Sequence, residues 1–126
     1  MLKPKAIAEI LQQTVTGGVT SSLLFSPDGS LLAYAGTENQ PVTVCAAIAS
    51  SIWTFYEGHT SSILEQDNLQ TISMDCEEGK IVIKPVSNLL LCLVGNETTQ
   101  FGMLRTKIAA LSRHIEKPLK RLEGFA

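Results

Sequence analysis

Residues 42–56 read VTVCAAIASSIWTFY and contain no charged side chain, within an uncharged run from Asn39 to Tyr56. At helical spacing, two apolar rows lie side by side on this segment. The first row contains Val44, Ile48, Ile52 and Phe55, and the second contains Cys45, Ala49, Trp53 and Tyr56. A surface helix that packs on its own core needs a stripe of about 100°. Because the two rows together are wider than half the helix, we expect one of them to bind a second surface, in this chain or in another.

Length and composition predict a globular chain with one domain over residues 1–126. The chain is 44% hydrophobic and 17% charged, and it is long enough to bury a core without metal or disulfide bonds. Ten basic and twelve acidic residues give a net charge of -2. Since no segment gathers Lys and Arg on an aromatic-rich face, nucleic acid is not expected as a partner.

The three cysteines predict a reduced compartment. Cys45, Cys76 and Cys92 are odd in number and have spacings unlike zinc or redox pairs. Each lies at an apolar position, so core packing as a small hydrophobic residue is the favoured role. A location facing the cytosol follows from this use of cysteine.

Direct membrane insertion is not expected. The segment MLKPKAIAEI lacks the continuous apolar region of a signal peptide. Polar residues in the run from Asn39 to Tyr56 argue against a transmembrane helix. Because no acylation or prenylation motif is found, any membrane location is expected to depend on a partner.

The remaining pattern predicts an α+β sandwich. The predicted order is a helix at about Pro4–Thr14, strands at Val19–Phe25 and Ser30–Gly36, the helix 42–56, strands at Leu69–Cys76, Ile81–Val86 and Leu89–Val94, and a final helix through Leu104, Ile108, Leu111 and Ile115. Gly58–Asp67 is predicted to be a polar loop, and Pro118 to end or kink the last helix, leaving a less ordered tail. Leu89–Val94 is apolar throughout, which predicts a central strand covered on both faces. Tight turns between consecutive strands predict a mainly antiparallel sheet.

No catalytic, cofactor or metal site is predicted. Gly17 and Gly18 lead into a strand, whereas a phosphate-binding loop leads into a helix. His59 and His114 lie in no local signature with a serine or cysteine nucleophile. A small hydrolase is therefore a remote alternative, and a protein that acts by binding is favoured.

Five segments resemble the roadblock/LC7 superfamily, and within it the adaptor subunits of the Ragulator type. These segments are GGVTSSLLFSPDGSLLAYAG (17–36), VCAAIASSIWTFYE (44–57), DNLQTISMDCEEGKIVI (67–83), SNLLLCLVG (87–95) and FGMLRTKIAALSRHIEKPL (101–119). The resemblance extends over Met1–Leu119. It implies a profilin-like sandwich in which a five-stranded, mainly antiparallel sheet carries helices on both faces.

The resemblance also implies a non-catalytic scaffold subunit that pairs with a related chain. Family members pair through the central helix and the strand after it, which here are residues 42–56 and 69–76. An uncharged helix and an uncovered edge strand suit this use. The interface predicted in this way contains Cys45, Ala49, Ile52, Trp53, Tyr56, Leu69, Thr71, Ser73 and Asp75. Whether Trp53 packs in the core or anchors the partner is left open by the sequence.

The partners implied by the resemblance are a second roadblock-fold subunit, a lipidated Ragulator subunit that anchors the complex to the membrane, and Rag GTPases. The implied location is the cytosolic face of late endosomes and lysosomes, in mTORC1 and MAPK signalling. Two alternatives stay open: a homodimeric roadblock protein of the dynein light chain type, and a direct regulator of a small GTPase.

Overall fold

The computed structural model describes residues 4–36, 41–64, 68–77 and 79–123. The helices are α1 (Pro4–Gln12), α2 (Val42–Leu64) and α3 (Phe101–Glu123). The strands are β1 (Val19–Phe25), β2 (Leu31–Gly36), β3 (Ile72–Cys76), β4 (Gly79–Val86) and β5 (Leu89–Asn96). The predicted order of helices and strands is confirmed. More than half of the predicted boundaries are unchanged, and the others shift by one to three residues, apart from the end of α2.

The five strands form one antiparallel sheet in the order β2-β1-β5-β4-β3. Strand β5 lies at the centre, and its residues 90–93 are all buried. The prediction of a central strand covered on both faces is therefore confirmed. Strands β2 and β3 form the two edges of the described sheet.

Separate hydrophobic clusters lie on the two faces of the sheet. On one face, α1 and α3 pack through Ile7, Leu11, Leu104, Ile108, Leu111, Ile115 and Leu119. On the other face, α2 packs through Ala46, Ala49 and Trp53 against Leu23, Phe25, Ile83, Leu90 and Cys92. Within the described residues, one helix covers the second face and two helices cover the first.

The hairpin between β1 and β2 is confirmed, and its turn is held by polar contacts. Gly29 adopts a φ of 95°, which a side chain rarely allows. Asp28 accepts hydrogen bonds from the Ser30 backbone N–H, at 3.0 Å, and from the Ser26 hydroxyl. These bonds lower the pKa of the Asp28 carboxyl from its ordinary value, with the Ser26 bond as the largest cause.

The prediction of a loop at Gly58–Asp67 is wrong for residues 58–64, because α2 continues to Leu64. Side chains support this extension: the His59 Nδ1 lies 2.6 Å from the Phe55 carbonyl oxygen, and the Thr60 hydroxyl donates to the Tyr56 carbonyl. Gly58 is exposed and has open space around it, so its cost to the helix is the ordinary entropic one. Residues 65–67 lie outside the described part.

Pro118 was predicted to end or kink the last helix, and of these two alternatives the first is wrong. Helix α3 runs through Pro118 to Glu123. The reason lies in packing, because Leu119 is 1% exposed and belongs to the cluster beneath α1 and α3. The free energy gained by burying Leu119 offsets the loss of the backbone hydrogen bond that proline cannot donate. Residues 124–126 of the predicted tail lie outside the described part.

A substitution of Leu119 tests this continuation of α3. Leu119→Ala is expected to lower the free energy of unfolding by about 2–4 kcal/mol, as for other buried leucines. The neighbouring Lys120 is exposed and makes a surface ion pair with Glu116, so Lys120→Ala should cost less than about 1 kcal/mol. Urea denaturation followed by circular dichroism measures both. Equal small losses would show that the end of α3 does not support the core.

Candidate protein interface

The core side of α2 is formed by small residues and one tryptophan. Ala46, Ala49 and Trp53 are buried at 0%, 4% and 2% exposure, and Cys45 packs at the margin of the same cluster. The Trp53 Nε1 donates a hydrogen bond to the Glu57 carboxylate at 3.2 Å, so its one polar group is satisfied at the surface. Trp53 therefore packs in the core of this chain, which settles the question that the sequence left open.

The opposite side of α2 carries an exposed apolar surface. We call Val44, Ile48, Phe55 and Tyr56 the exposed row; their side chains are 53–57% exposed. Phe55 stacks on His59 with ring centroids 4.3 Å apart and meets Tyr56 edge to face at 5.3 Å. Large apolar side chains in such a continuous array are typical of a surface that binds another protein.

A groove lies between the exposed row and strand β3. It has a volume of about 460 Å³ and is bounded by α2 on one side and by β3 with its preceding segment on the other. Its lining residues are Ile52, Tyr56, Thr60, Leu69, Thr71, Ile72, Ser73 and Met74. Because the lining is mostly apolar, the groove is suited to receive apolar side chains from a partner.

Strand β3 leaves one of its two edges unpaired within the described sheet. It pairs with β4, from Ile72 opposite Ile83 to Cys76 opposite Gly79. Ile72 and Met74 pack towards the cluster beneath α2, while Ser73 and Asp75 are exposed. An open edge of this kind offers backbone donors and acceptors to an added strand. The exposed row, the groove and this edge together form the candidate interface.

The family model of the Roadblock/LC7 domain matches residues 7–95, which extend from within α1 to the penultimate residue of β5. The chain belongs to the Roadblock/LC7 domain family.

Known proteins of similar sequence and fold agree with this membership. The Ragulator complex protein LAMTOR2 homolog of Caenorhabditis elegans is 34% identical over 122 residues, and the match covers 94% of each chain. Myxococcus xanthus MglB has a TM-score of 0.83 at 16% identity, with 97% of this chain and 95% of that chain covered. A further MglB structure, described as having a tetrameric arrangement, has a TM-score of 0.81 at 18% identity, with 93% and 90% covered. At these identities the two structures show the likeness of the fold.

The predicted interface residues of this Roadblock/LC7 chain are divided between two surfaces. Five of them lie around the groove: Ile52, Tyr56, Leu69, Thr71 and Ser73. Asp75 is exposed on β3. Cys45, Ala49 and Trp53 instead pack towards the sheet, so in this structure they do not form a surface open to a partner. Leu69 and Thr71 precede β3, which begins at Ile72 and not at Leu69.

Sequence reasoning left Val44, Ile48 and Phe55 out of the predicted interface, although all three belong to the exposed row. Both rows of α2 are uncharged and apolar, so an apolar pattern alone does not say which row faces the sheet. Residue size separates them better: apart from Trp53, the core side consists of the small residues Cys45, Ala46 and Ala49, which allow the helix to approach the sheet closely, whereas the exposed row consists of large residues. Small side chains are therefore the signal that identifies the core side of this helix.

The cysteines of this Roadblock/LC7 chain differ widely in environment. Burial raises the pKa of the Cys92 thiol to about 12, so it stays protonated near neutral pH. Cys45 is half-buried. The prediction that Cys76 packs in the core is wrong, because it is the last residue of an edge strand and is exposed.

These environments predict the order of thiol modification. Cys76 is expected to react with iodoacetamide in the native chain, and Cys92 at least about 100-fold more slowly, because a thiol of high pKa holds little thiolate. Mass spectrometry of peptides after timed labelling measures each site. In urea the two rates should become equal. Equal rates in the native chain would contradict the burial of Cys92.

Proposed function

We propose that this chain is a non-catalytic adaptor subunit that pairs with a second Roadblock/LC7 chain through α2 and β3. The observation that carries the proposal is the exposed row beside an open groove and an unpaired strand edge. An exposed apolar patch flanked by an edge strand has both elements of strand addition, in which main-chain hydrogen bonds give affinity and side-chain pockets give specificity.

Pairing of this kind would stabilise both the exposed row and the open edge of β3. It covers the exposed row with apolar surface from a partner, at about 25 cal/mol for each Å² removed from water. It also satisfies the open edge of β3, joining two sheets into one and removing a site of aggregation. In the proposed pair, the two α2 helices pack antiparallel across the junction of the sheets.

The proposed cellular role is that of a Ragulator-type subunit. The 34% identity to the LAMTOR2 homolog over 94% of each chain supports this assignment. In this role the pair binds a lipidated anchoring subunit and Rag GTPases on late endosomes and lysosomes, and supports mTORC1 and MAPK signalling. Among the described residues, no helix has the length and apolar character required to cross a bilayer. Membrane attachment is assigned in this proposal to the lipidated partner.

Reconstitution tests the proposed function. The chain is expressed alone, and again together with a Ragulator-type Roadblock/LC7 chain from the same cells, and both samples are analysed by sedimentation velocity. We expect a 1:1 heterodimer in the second sample, and no tight homodimer in the first. A homodimer that does not exchange with the second chain would support the alternative of a homodimeric roadblock protein. Acceleration of GTP hydrolysis by an isolated small GTPase would contradict the adaptor role.

A further inference from the structure

Acidic and basic residues are separated along this chain. Residues 6–79 contain no lysine or arginine. The same segment contains nine acidic residues: Glu9, Asp28, Glu38, Glu57, Glu65, Asp67, Asp75, Glu77 and Glu78. Eight of the ten basic residues follow it, between Lys80 and Arg121. The two elements of the candidate interface, α2 and β3, therefore contain acidic residues and no lysine or arginine.

The structure directs several of the basic side chains towards the face covered by α1 and α3. The Lys80 ammonium donates to the Glu97 carbonyl oxygen at 2.9 Å and lies 5.6 Å from the centre of the Phe101 ring. Arg105 lies over the same ring at 5.9 Å. Lys107 donates to the Thr16 carbonyl oxygen at 2.7 Å, beyond the end of α1. None of these cations is directed towards α2.

Asp75 is left as an acidic group on the outer strand. It lies opposite Lys80 in the β3–β4 register, yet the Lys80 ammonium is engaged with Glu97 and Phe101. Among the residues that the structure describes, no cation pairs with the Asp75 carboxylate. Glu77 is exposed in the turn that follows β3. The open edge thus presents negative charge to any strand that is added beside it.

From this distribution we infer that the candidate interface selects a partner with basic residues along the matching edge, and that its acidic edge disfavours pairing with a second copy. The inference rests on the proposed function, since it concerns the same surface. Like charges on neighbouring strands are destabilising, and opposite charges are stabilising. Two copies would bring only acidic groups to their shared edge. A basic partner would place opposite charges there, which gives specificity more than affinity.

The test changes the charge at the open edge of β3 and measures how variants of this chain pair with one another and with wild type. The basic-edge variant carries Asp75→Lys and Glu77→Lys. The neutral-edge variant carries Asp75→Asn and Glu77→Gln, which retain shape. Glu57 is left unchanged because it accepts the Trp53 hydrogen bond. The control carries Glu9→Lys and Glu116→Lys, two exposed residues on α1 and α3 that give the same change of net charge.

Sedimentation velocity and fluorescence anisotropy then measure each pairing at low and high salt. Wild type is expected to bind the basic-edge variant at least about tenfold more tightly than it binds itself at low salt. This preference should shrink at high salt, where surface charges are screened. The neutral-edge variant should bind itself about threefold more tightly than wild type does. Circular dichroism confirms that every variant is folded.

The outcomes separate this inference from the proposed function. Ile48→Asp, added to each chain, should abolish every pairing if the exposed row is the contact surface. Loss of pairing in Ile48→Asp, with equal affinities among wild type and the charge variants, would overturn the charge inference and leave the proposed function intact. An equal gain in the Glu9/Glu116 control, or no measurable pairing of wild type with the basic-edge variant, would also overturn the inference. Pairing that is insensitive to Ile48→Asp would contradict the proposed surface itself.

Discussion

Trp53→Ala is expected to lower the free energy of unfolding by about 3–5 kcal/mol, the range for removal of a large buried aromatic residue. The indole is 2% exposed and packs between α2 and the sheet, in the smaller of the two hydrophobic clusters. Its removal leaves a cavity beneath the helix that alone covers this face. The Glu57 carboxylate also loses the hydrogen bond from Trp53 Nε1.

Urea denaturation followed by far-UV circular dichroism measures this loss, since the substitution removes the chain's one tryptophan. Tyr56→Ala is the matched control. Tyr56 lies three residues further along the same helix and is 53% exposed, so its removal should cost less than about 1 kcal/mol in the isolated chain. A loss below about 1 kcal/mol for Trp53→Ala would contradict its place in the core.

Ile48→Asp is expected to weaken pairing at least about 100-fold, because it places a carboxylate in an apolar contact without a compensating hydrogen bond. The side chain is 55% exposed in the isolated chain, so the free energy of unfolding should change by less than about 0.5 kcal/mol. This contrast distinguishes the exposed row from the core side, where Trp53→Ala impairs folding first. Affinity for the Roadblock/LC7 partner is measured by isothermal titration calorimetry.

Thr54→Asp provides a control on the same helix. Thr54 is exposed and lies seven residues, or about two helical turns, after Ala47. It therefore lies on the same side of α2 as Ala47, which approaches the β1–β2 turn and not the groove. In that turn, a side chain added at Gly29 would lie 3.5 Å from the Ala47 Cα. A carboxylate there should change affinity by less than about threefold. Similar losses for Thr54→Asp and Ile48→Asp would indicate a general effect of charge on α2.

The fold is predictable from this sequence because local signals agree. The hairpin turn at Asp28 and Gly29, the apolar strand 89–94 and the periodicity of the helices all favour the same sandwich. The ends of α2 and α3 were missed because side-chain hydrogen bonds and packing outweigh local propensity there. Gly58 lies within α2, where polar side chains bind helical carbonyls, and Pro118 lies within α3, where Leu119 is buried.

The candidate interface was predictable in place but not in orientation. The sequence predicts a helix with an excess of apolar surface, next to an edge strand, and five predicted residues surround the groove. Periodicity places residues on a face, but it does not say which face meets the sheet when both are apolar. That choice depends on how closely the backbones approach, which the small residues Ala46 and Ala49 permit. The exposure of Cys76 was also missed. The alternation of apolar residues assigns Cys76 to one face of the strand, but it does not show that the residue lies at the end of an edge strand.

Hydrogen exchange of the chain, alone and with its Roadblock/LC7 partner, tests the central claim most directly. If α2 and β3 form the pairing surface, strand addition gives hydrogen-bond partners to those N–H groups of residues 72–76 that point to the open edge. These amides should exchange at least about tenfold more slowly in the complex than in the chain alone. Amides on α1 and on the exposed side of α3 should be unaffected. Protection on α1 and α3, with unchanged exchange in residues 72–76, would contradict the account.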